Sequence, residues 1–148
     1  MFARARTMAT LLQMSREDEG RNLWNRKRTV VRFMYEGKLI EKDAPFIDPR
    51  GLNLRDALLS WADYGGGINL SGANLRFARL VETNLSFADL RATNLKDADL
   101  SAADLSNADL QGADLSNADL SRARVTNQQL ASCKSLKGAT MPDGTMHP

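Results

Sequence analysis

Residues 68–132 read INLSG ANLRF ARLVE TNLSF ADLRA TNLKD ADLSA ADLSN ADLQG ADLSN ADLSR ARVTN QQLAS, a single five-residue phrase repeated thirteen times. A large apolar residue stands at Leu70 and at every fifth position through Leu130, with Val125 the one departure from Leu. Two residues before it sits a small residue, usually Ala, and between the two lies Asp or Asn in most units. Five residues of α-helix advance about 500°, or ~140° net of a full turn, so these leucines would wander around a helix and bury no stripe. In a straight strand an odd period sends alternate leucines to opposite faces. A chain that turns a corner every five residues keeps them all on one side. The small residue and the Leu, two apart, then point inward, and the polar pair that follows makes the corner. Such a chain closes into a solenoid whose turns stack about 4.8 Å apart. The middle Asp or Asn hydrogen-bonds nearby backbone amides, as in Asx turns.

The same frame runs backwards through Leu52-Asn53-Leu54, Ala57-Leu58-Leu59 and Ala62-Asp63-Tyr64, after which Gly67 adds one residue. Three imperfect units and thirteen regular ones make sixteen. The chain has 148 residues, 43% hydrophobic and only 6% aromatic, so the core must be built from Leu and Ala. The net charge of +2 announces neither nucleic acid nor an acidic membrane. It is uneven, however: residues 1–51 hold eleven basic and seven acidic side chains, residues 68–132 six and eight.

The head reads as an amphipathic helix. Ser15, followed by Glu17, Asp18 and Glu19, is a start signal, and Gly37 is the natural left-handed residue after its end. Leu23, Trp24, Val30, Val31 and Met34 share one arc, with Lys27 at its edge where its stem can snorkel. Arg21, Asn25, Arg28 and Arg32 share the opposite face, which reads either as a solvated surface or as a docking surface for an acidic protein or a phosphate backbone. Trp24 and Phe33 are expected to pack within this head. A shorter helix over Ala5–Gln13 is expected before it. Residues 38–50 form a linker in which Pro45 and Pro49 exclude helix, and Leu39, Ile40, Phe46 and Ile47 are expected to tie it onto the first coil.

The A(D/N)LXX phrase resembles the repeat of the pentapeptide-repeat family, and the resemblance covers Leu52 to Ser132. It implies an all-β solenoid, a right-handed quadrilateral parallel β-helix with twenty residues per coil. Sixteen units then give about four coils, and the amphipathic head is the expected N-terminal α-helical cap, closing an edge that would otherwise invite stacking. The head around Asn25-Arg26-Lys27-Arg28 and the tail Leu136–Gly144 are similar to the flanks of bacterial, notably cyanobacterial, members. The chain divides into residues 1–51, cap and linker; 52–132, the repeat; and 133–148, a closing segment. In that last part Leu136 and Met141 read as degenerate inward sites shifted by one residue, and Thr126–Cys133 as a short closing helix.

Catalytic chemistry is absent from the pattern. His147, the sole histidine, lies one residue from the end and is expected to be disordered, which removes histidine triads and histidine metal sites. Cys133 has no second cysteine and reads as a packed residue. The row Asp89, Asp99, Asp104, Asp109, Asp114 and Asp119 reads as turn chemistry, because residues twenty apart stack and the stacks mix signs, leaving no calcium cage. Gly65-Gly66-Gly67 lacks the Lys-Ser/Thr of a phosphate loop. The expectation is therefore a non-enzymatic module without metal or cofactor that binds an unidentified protein partner, as monomer or homodimer. Its candidate partner surface is Arg21, Arg28, Arg32, Phe77, Val81 and Phe87, the last three being bulky residues at corners. The resemblance supplies an alternative, mimicry of duplex DNA against a type II topoisomerase such as gyrase, against which stands a repeat of only two net negative charges. No direct nucleic-acid binding is expected. No apolar run approaches the roughly 18 residues of a membrane span. Arg4 and Arg6 faintly suggest a presequence, but no h-region or cleavage site accompanies them, so a cytoplasmic location is expected.

Overall fold

A computed structural model describes residues 23–40, 48–50, 52–60 and 62–148, with side chains described from Lys27 onward. Within them one residue per five-residue side pairs with its counterpart a turn away, always in parallel: Asn69 with Asp89, Asn74 with Asn94, Arg79 with Asp99, Asn84 with Asp104. The register is twenty residues, which is four five-residue sides per turn. It widens to 21 where Gly67 is inserted, pairing Asn53 with Asn74 and Asp63 with Asn84. Gly66 and Gly67 carry φ of 101° and 105°, a region that a side chain would strain, so the extra residue needs glycine. The architecture is a parallel β-helix.

Each side repeats one bonding scheme. Leu75 N donates to Asn94 O (2.8 Å), Asn94 N donates to Ala73 O (3.0 Å), and Ala78 N closes the corner onto Leu75 O (3.0 Å). The middle carboxylates and amides accept from the amide two residues on, as Asp104 does from Ser106 N (2.9 Å) and Asp119 from Ser121 N (2.8 Å). Every fifth leucine from Leu70 to Leu120 is fully enclosed, with the alanines between them forming the rest of the core. Thr83 and Thr93 replace Ala at two inward sites. Their buried hydroxyls donate to Leu59 O (2.9 Å) and Leu70 O (3.0 Å) of the preceding turn, which satisfies them.

Helix α1 spans Leu23–Glu36. Lys27, Val30, Val31 and Met34 are its buried positions, and Val30, Val31, Met34 and Ile40 join the same core as the leucines. Lys27 Nζ donates to Arg55 O (2.6 Å) and Tyr35 Oη to Gly65 O (2.6 Å). Arg55 and Gly65 are half a turn apart, so α1 reaches opposite corners of the first described turn. Asn69 N donates to Ile40 O (2.6 Å), fixing the chain after α1 above a third place on that turn.

Three expectations for the head change. The left-handed residue after α1 is Lys38 (φ 56°), one place beyond Gly37, because Lys38 N bonds to Tyr35 O and Leu39 N to Met34 O in a six-to-one closure. Lys27 does not snorkel: it is 6% exposed, its ammonium held by a carbonyl, and burial lowers its pKa. Phe33 is 51% exposed rather than packed, since it lies on the flank away from the buried positions. The start signal at Ser15, the helix over Ala5–Gln13, Phe46 and Ile47 lie outside the described residues, as does the side chain of Trp24.

At the other end helix α2 spans Asn127–Ala131, with Thr126 as N-cap. Gln129 Oε1 accepts from Thr126 N (2.9 Å), while its Nε2 donates to Leu105 O (2.7 Å) and Ala108 O (2.8 Å). In the preceding turn Ala88 O accepts from the backbone of Asp109, so one side-chain amide stands in for a missing strand. Pairing then resumes at a 21-residue spacing, Asp114 with Ser135 and Asp119 with Thr140, and both Leu136 and Met141 pack against the core. The tail is ordered, contrary to expectation. It folds back antiparallel, with Thr140 opposite Met146, His147 N on Ala139 O (2.8 Å) and Gly138 N on His147 O (2.9 Å).

Candidate functional site

Each corner consists of two residues, the second of them left-handed. Phe77 (φ 58°), Glu82 (φ 53°), Phe87 (φ 62°), Ala92 (φ 52°), Asp97 (φ 59°), Ala102 (φ 54°) and Asn107 (φ 58°) all follow the rule. A hydrogen-bonded turn with positive φ at its third residue is a glycine or asparagine position by preference, and a side chain with a Cβ costs about 1–2 kcal/mol there. Phenylalanine is the least expected occupant. Phe77 is 37% exposed and Phe87 51%.

Phe77, Val81 and Phe87 stand at three successive corners of one turn. Ten residues separate the phenylalanines, half of the twenty-residue register, so they project from opposite corners. Val81 is half-buried between them. Arg28 and Arg32 are exposed on α1, and Arg32 Nε pairs with Glu36 (2.7 Å). Arg21 lies outside the described residues. These side chains therefore do not gather on one face.

The two aromatic corners differ in what surrounds them. The Arg55 and Arg76 guanidinium carbons lie over the Phe77 ring at 4.7 and 4.6 Å from its centroid. Arg76 also pairs with Asp97 of the next turn (3.0 Å). Arg55 and Arg76 hold the same corner position in consecutive turns, 21 residues apart across the Gly67 insertion, a spacing legible in the sequence once the frame is set. At Phe87 the corresponding positions are Gly65 and Ser86, and among the described residues no guanidinium lies over the ring. The sides meeting at this corner are acidic. The side entering it carries Asp63, Asn84, Asp104 and Arg124 in successive turns; the side leaving it carries Asn69, Asp89 and Asp109. Arg91 pairs with Asp89 (2.6 Å) and lies 3.6 Å from Asp109, and Arg124 lies 3.6 Å from Asp104.

Other functional chemistry is thin. Among the described residues no group of three His, Cys, Asp or Glu could hold a metal ion. Burial pushes the half-buried Cys133 thiol up to about 11, so it is protonated at neutral pH and lacks the thiolate of a nucleophile. Hydrogen bonds from Ser106 and Ser116 hold Asp104 and Asp114 below the usual carboxylate range. Sequence reasoning missed the carbonyl contacts of Gln129 and Lys27 and the Tyr35–Tyr64 ring pair (centroids 5.3 Å apart, nearly perpendicular), because the repeat and helix patterns place these residues without naming their partners.

Comparisons with known proteins agree with this geometry. The family model for pentapeptide repeats matches residues 68–107 and 98–134. Rfr23, a pentapeptide repeat protein of the cyanobacterium Cyanothece 51142, is 36% identical over 72% of this chain and 67% of its own, with a TM-score of 0.53. A pentapeptide repeat protein of the Arabidopsis thaliana thylakoid lumen is 30% identical over 64% of this chain, with a TM-score of 0.50, and the chain spans 61% of its length. A third, from Nostoc PCC 7120, is 30% identical over 76% of this chain and 74% of its own, with a TM-score of 0.38. No curated protein matches. The chain belongs to the pentapeptide-repeat family, whose fold is the right-handed β-helix. Among the described residues no helix is long and apolar enough to cross a membrane.

Proposed function

We propose that this protein is a non-enzymatic, rigid module that binds a protein partner through its corners. The observation carrying this reading is Phe87: a half-exposed aromatic held in a left-handed backbone conformation by the bond from its own amide to Ser106 O. Strain at an exposed apolar side chain that nothing among the described residues covers points to use by something outside the fold. The reading includes a β-helix of about four coils over 52–132, α1 as the cap of its N-terminal end within 1–51, and 133–148 as the closing segment. Contacts from α1 to the Arg55 and Gly65 carbonyls at opposite corners support the capping role. A cytoplasmic location and a monomeric or dimeric state complete the proposal.

Affinity capture from the native host, with parent and Phe87→Ala bait in parallel, tests it. A partner retained by the parent is the expected result; an empty capture at native abundance refutes the module. The topoisomerase alternative has less support, because the columns mix signs, as in Arg79–Asp99–Asp119, where a duplex is uniformly negative. Supercoiling by gyrase, with and without a quinolone, should be indifferent to micromolar protein.

A further inference from the structure

The two phenylalanine corners are equivalent by register, and among the described residues one already contains what the other lacks. At Phe77 two arginines of the chain itself occupy the ring face. At Phe87 their places are taken by Gly65 and Ser86, with Gly66 and Gly67 beside them, so none of those positions carries a side chain long enough to lie over the ring as arginine does. The corner columns also differ in charge. The column at Phe77 holds Arg55, Arg76, Lys96 and Lys137 against Asp56 and Asp97, whereas the column at Phe87, with Gly65, Gly66, Ser86, Ser106 and Asn107, holds no charged residue. The sides flanking both corners are acidic, Asp99, Asp114 and Asp119 against Arg79 at Phe77, and Asp63, Asp89, Asp104 and Asp109 against Arg124 at Phe87, so only at Phe87 do the carboxylates stand without corner cations. Asp63 is exposed and, among the described residues, pairs with no cation; its Oδ1 accepts from Asn84 Nδ2 (2.8 Å) and Gly65 N (3.0 Å), which fixes it beside this corner.

From these observations we infer that Phe87 seats an arginine presented by a basic segment of a protein partner, with the guanidinium over the ring and the side that carries Asp63 and Asp104 supplying complementary charge. The arrangement at Phe77 is the internal template. A planar guanidinium stacks on an aromatic face and can still bond sideways to a carboxylate, as Arg76 does with Asp97, whereas an ammonium is a more strongly hydrated point charge. The inference rests on the binding-module reading and makes it specific: it names the partner's chemistry.

The test uses the full chain with hexa-arginine and hexa-lysine peptides as probes, read by amide NMR titration and calorimetry at near-physiological salt. Hexa-arginine should bind more tightly than hexa-lysine and shift the amides of residues 65–67 and 86–88. Phe87→Ala should weaken hexa-arginine roughly two- to fivefold, as expected for one exposed cation–π contact, while Phe77→Ala leaves it unchanged. Ser86→Arg, which rebuilds the Arg76–Phe77 pair at the second corner, should block the peptide. Circular dichroism of each variant establishes that the fold is kept. Equal binding by parent and Phe87→Ala, equal binding of the two peptides, or shifts confined to Asp89 and Asp109 would each overturn the inference. A host partner still captured by Phe87→Ala would remove the arginine seat and leave the module. An empty capture beside Phe87-dependent hexa-arginine binding would do the reverse.

Discussion

Tyr64 holds the one buried side-chain oxygen of the described residues without a hydrogen-bond partner, and replacing it by phenylalanine should stabilise the protein. The residue is 2% exposed, at an inward site of the first described turn, with its ring edge-on to Tyr35. The ring contact survives in Tyr64→Phe; only the hydroxyl leaves. An unsatisfied buried hydroxyl costs about 1–3 kcal/mol, and removing its oxygen leaves a void smaller than a methyl group, so the net gain is roughly 1 kcal/mol. For a chain of this length that raises Tm by about 2–4 °C. A second signature follows from acidity. Burial pushes the Tyr64 hydroxyl up to about 12, from an unfolded value of about 10. A folded pKa above the unfolded one means that the folded state keeps the proton longer. The associated stability is intact below pH 10 and is lost as pH rises through 12. Tyr64→Phe lacks that titration, so its advantage should widen across this window, by an amount on the order of 1.4 kcal/mol per pH step. Urea midpoints by circular dichroism at pH 7, 10 and 11 read both effects. A variant less stable than the parent by 1 kcal/mol or more at pH 7 would mean that the hydroxyl has a partner, and the reasoning would fail.

Three further perturbations address the frame. Leu100→Asp places a carboxylate at a fully enclosed inward site and should abolish cooperative folding of the central turns; a parent-like melt and spectrum would refute the inward assignment. Gln129→Ala removes the N-cap partner and two carbonyl contacts at once, and should cost about 2–3 kcal/mol with faster amide exchange over residues 105–110; unchanged exchange there would show that the side chain is dispensable. Asp104→Asn/Asp114→Asn keeps an acceptor for each Asx turn but removes the charge, and so should be somewhat less stable than the parent at pH 7 and approach it in acid. Depressed carboxylate pKa values contribute stability above the unfolded range near pH 4 that is lost as pH falls through the folded values. The double variant should therefore lose less between pH 4 and pH 2, and an acid limb identical to the parent's would count against the assignment.

The leucine ladder and its 21-residue slip at Gly67 were legible because period five has one geometric solution and a single insertion shifts every later inward site. The degenerate sites at Leu136 and Met141 were legible for the same reason. What escaped lacks periodicity. Gly37 attracted the left-handed assignment by residue type, yet the position is set by Leu39 reaching the Met34 carbonyl, and that places it at Lys38. Lys27 reads as a snorkelling side chain at the edge of the apolar arc; it is buried to its ammonium because the Arg55 carbonyl lies within reach. The antiparallel return of the tail leaves no alternation in so short a segment. The bulky corners were visible, but which of them is covered was not. That depends on Arg55 and Arg76 sharing a corner across the insertion.

That difference bears on why phenylalanine persists at two left-handed positions. Elsewhere the second corner residue is often one that tolerates this backbone: Gly72, Asp97, Asn107, Gly112 and Asn117. The inter-turn bonds, such as Phe87 N to Ser106 O (2.9 Å), hold the conformation whatever the side chain, so the strain of about 1–2 kcal/mol is borne by the frame. At Phe77 two cation–π contacts, each about 0.5–1 kcal/mol, offset the strain within the chain itself. At Phe87 the same strain meets glycines and a serine, and no offsetting cation lies over the ring among the described residues. An asparagine there would cost the fold less backbone strain, so the compensation for phenylalanine is best sought in a contact made with another molecule.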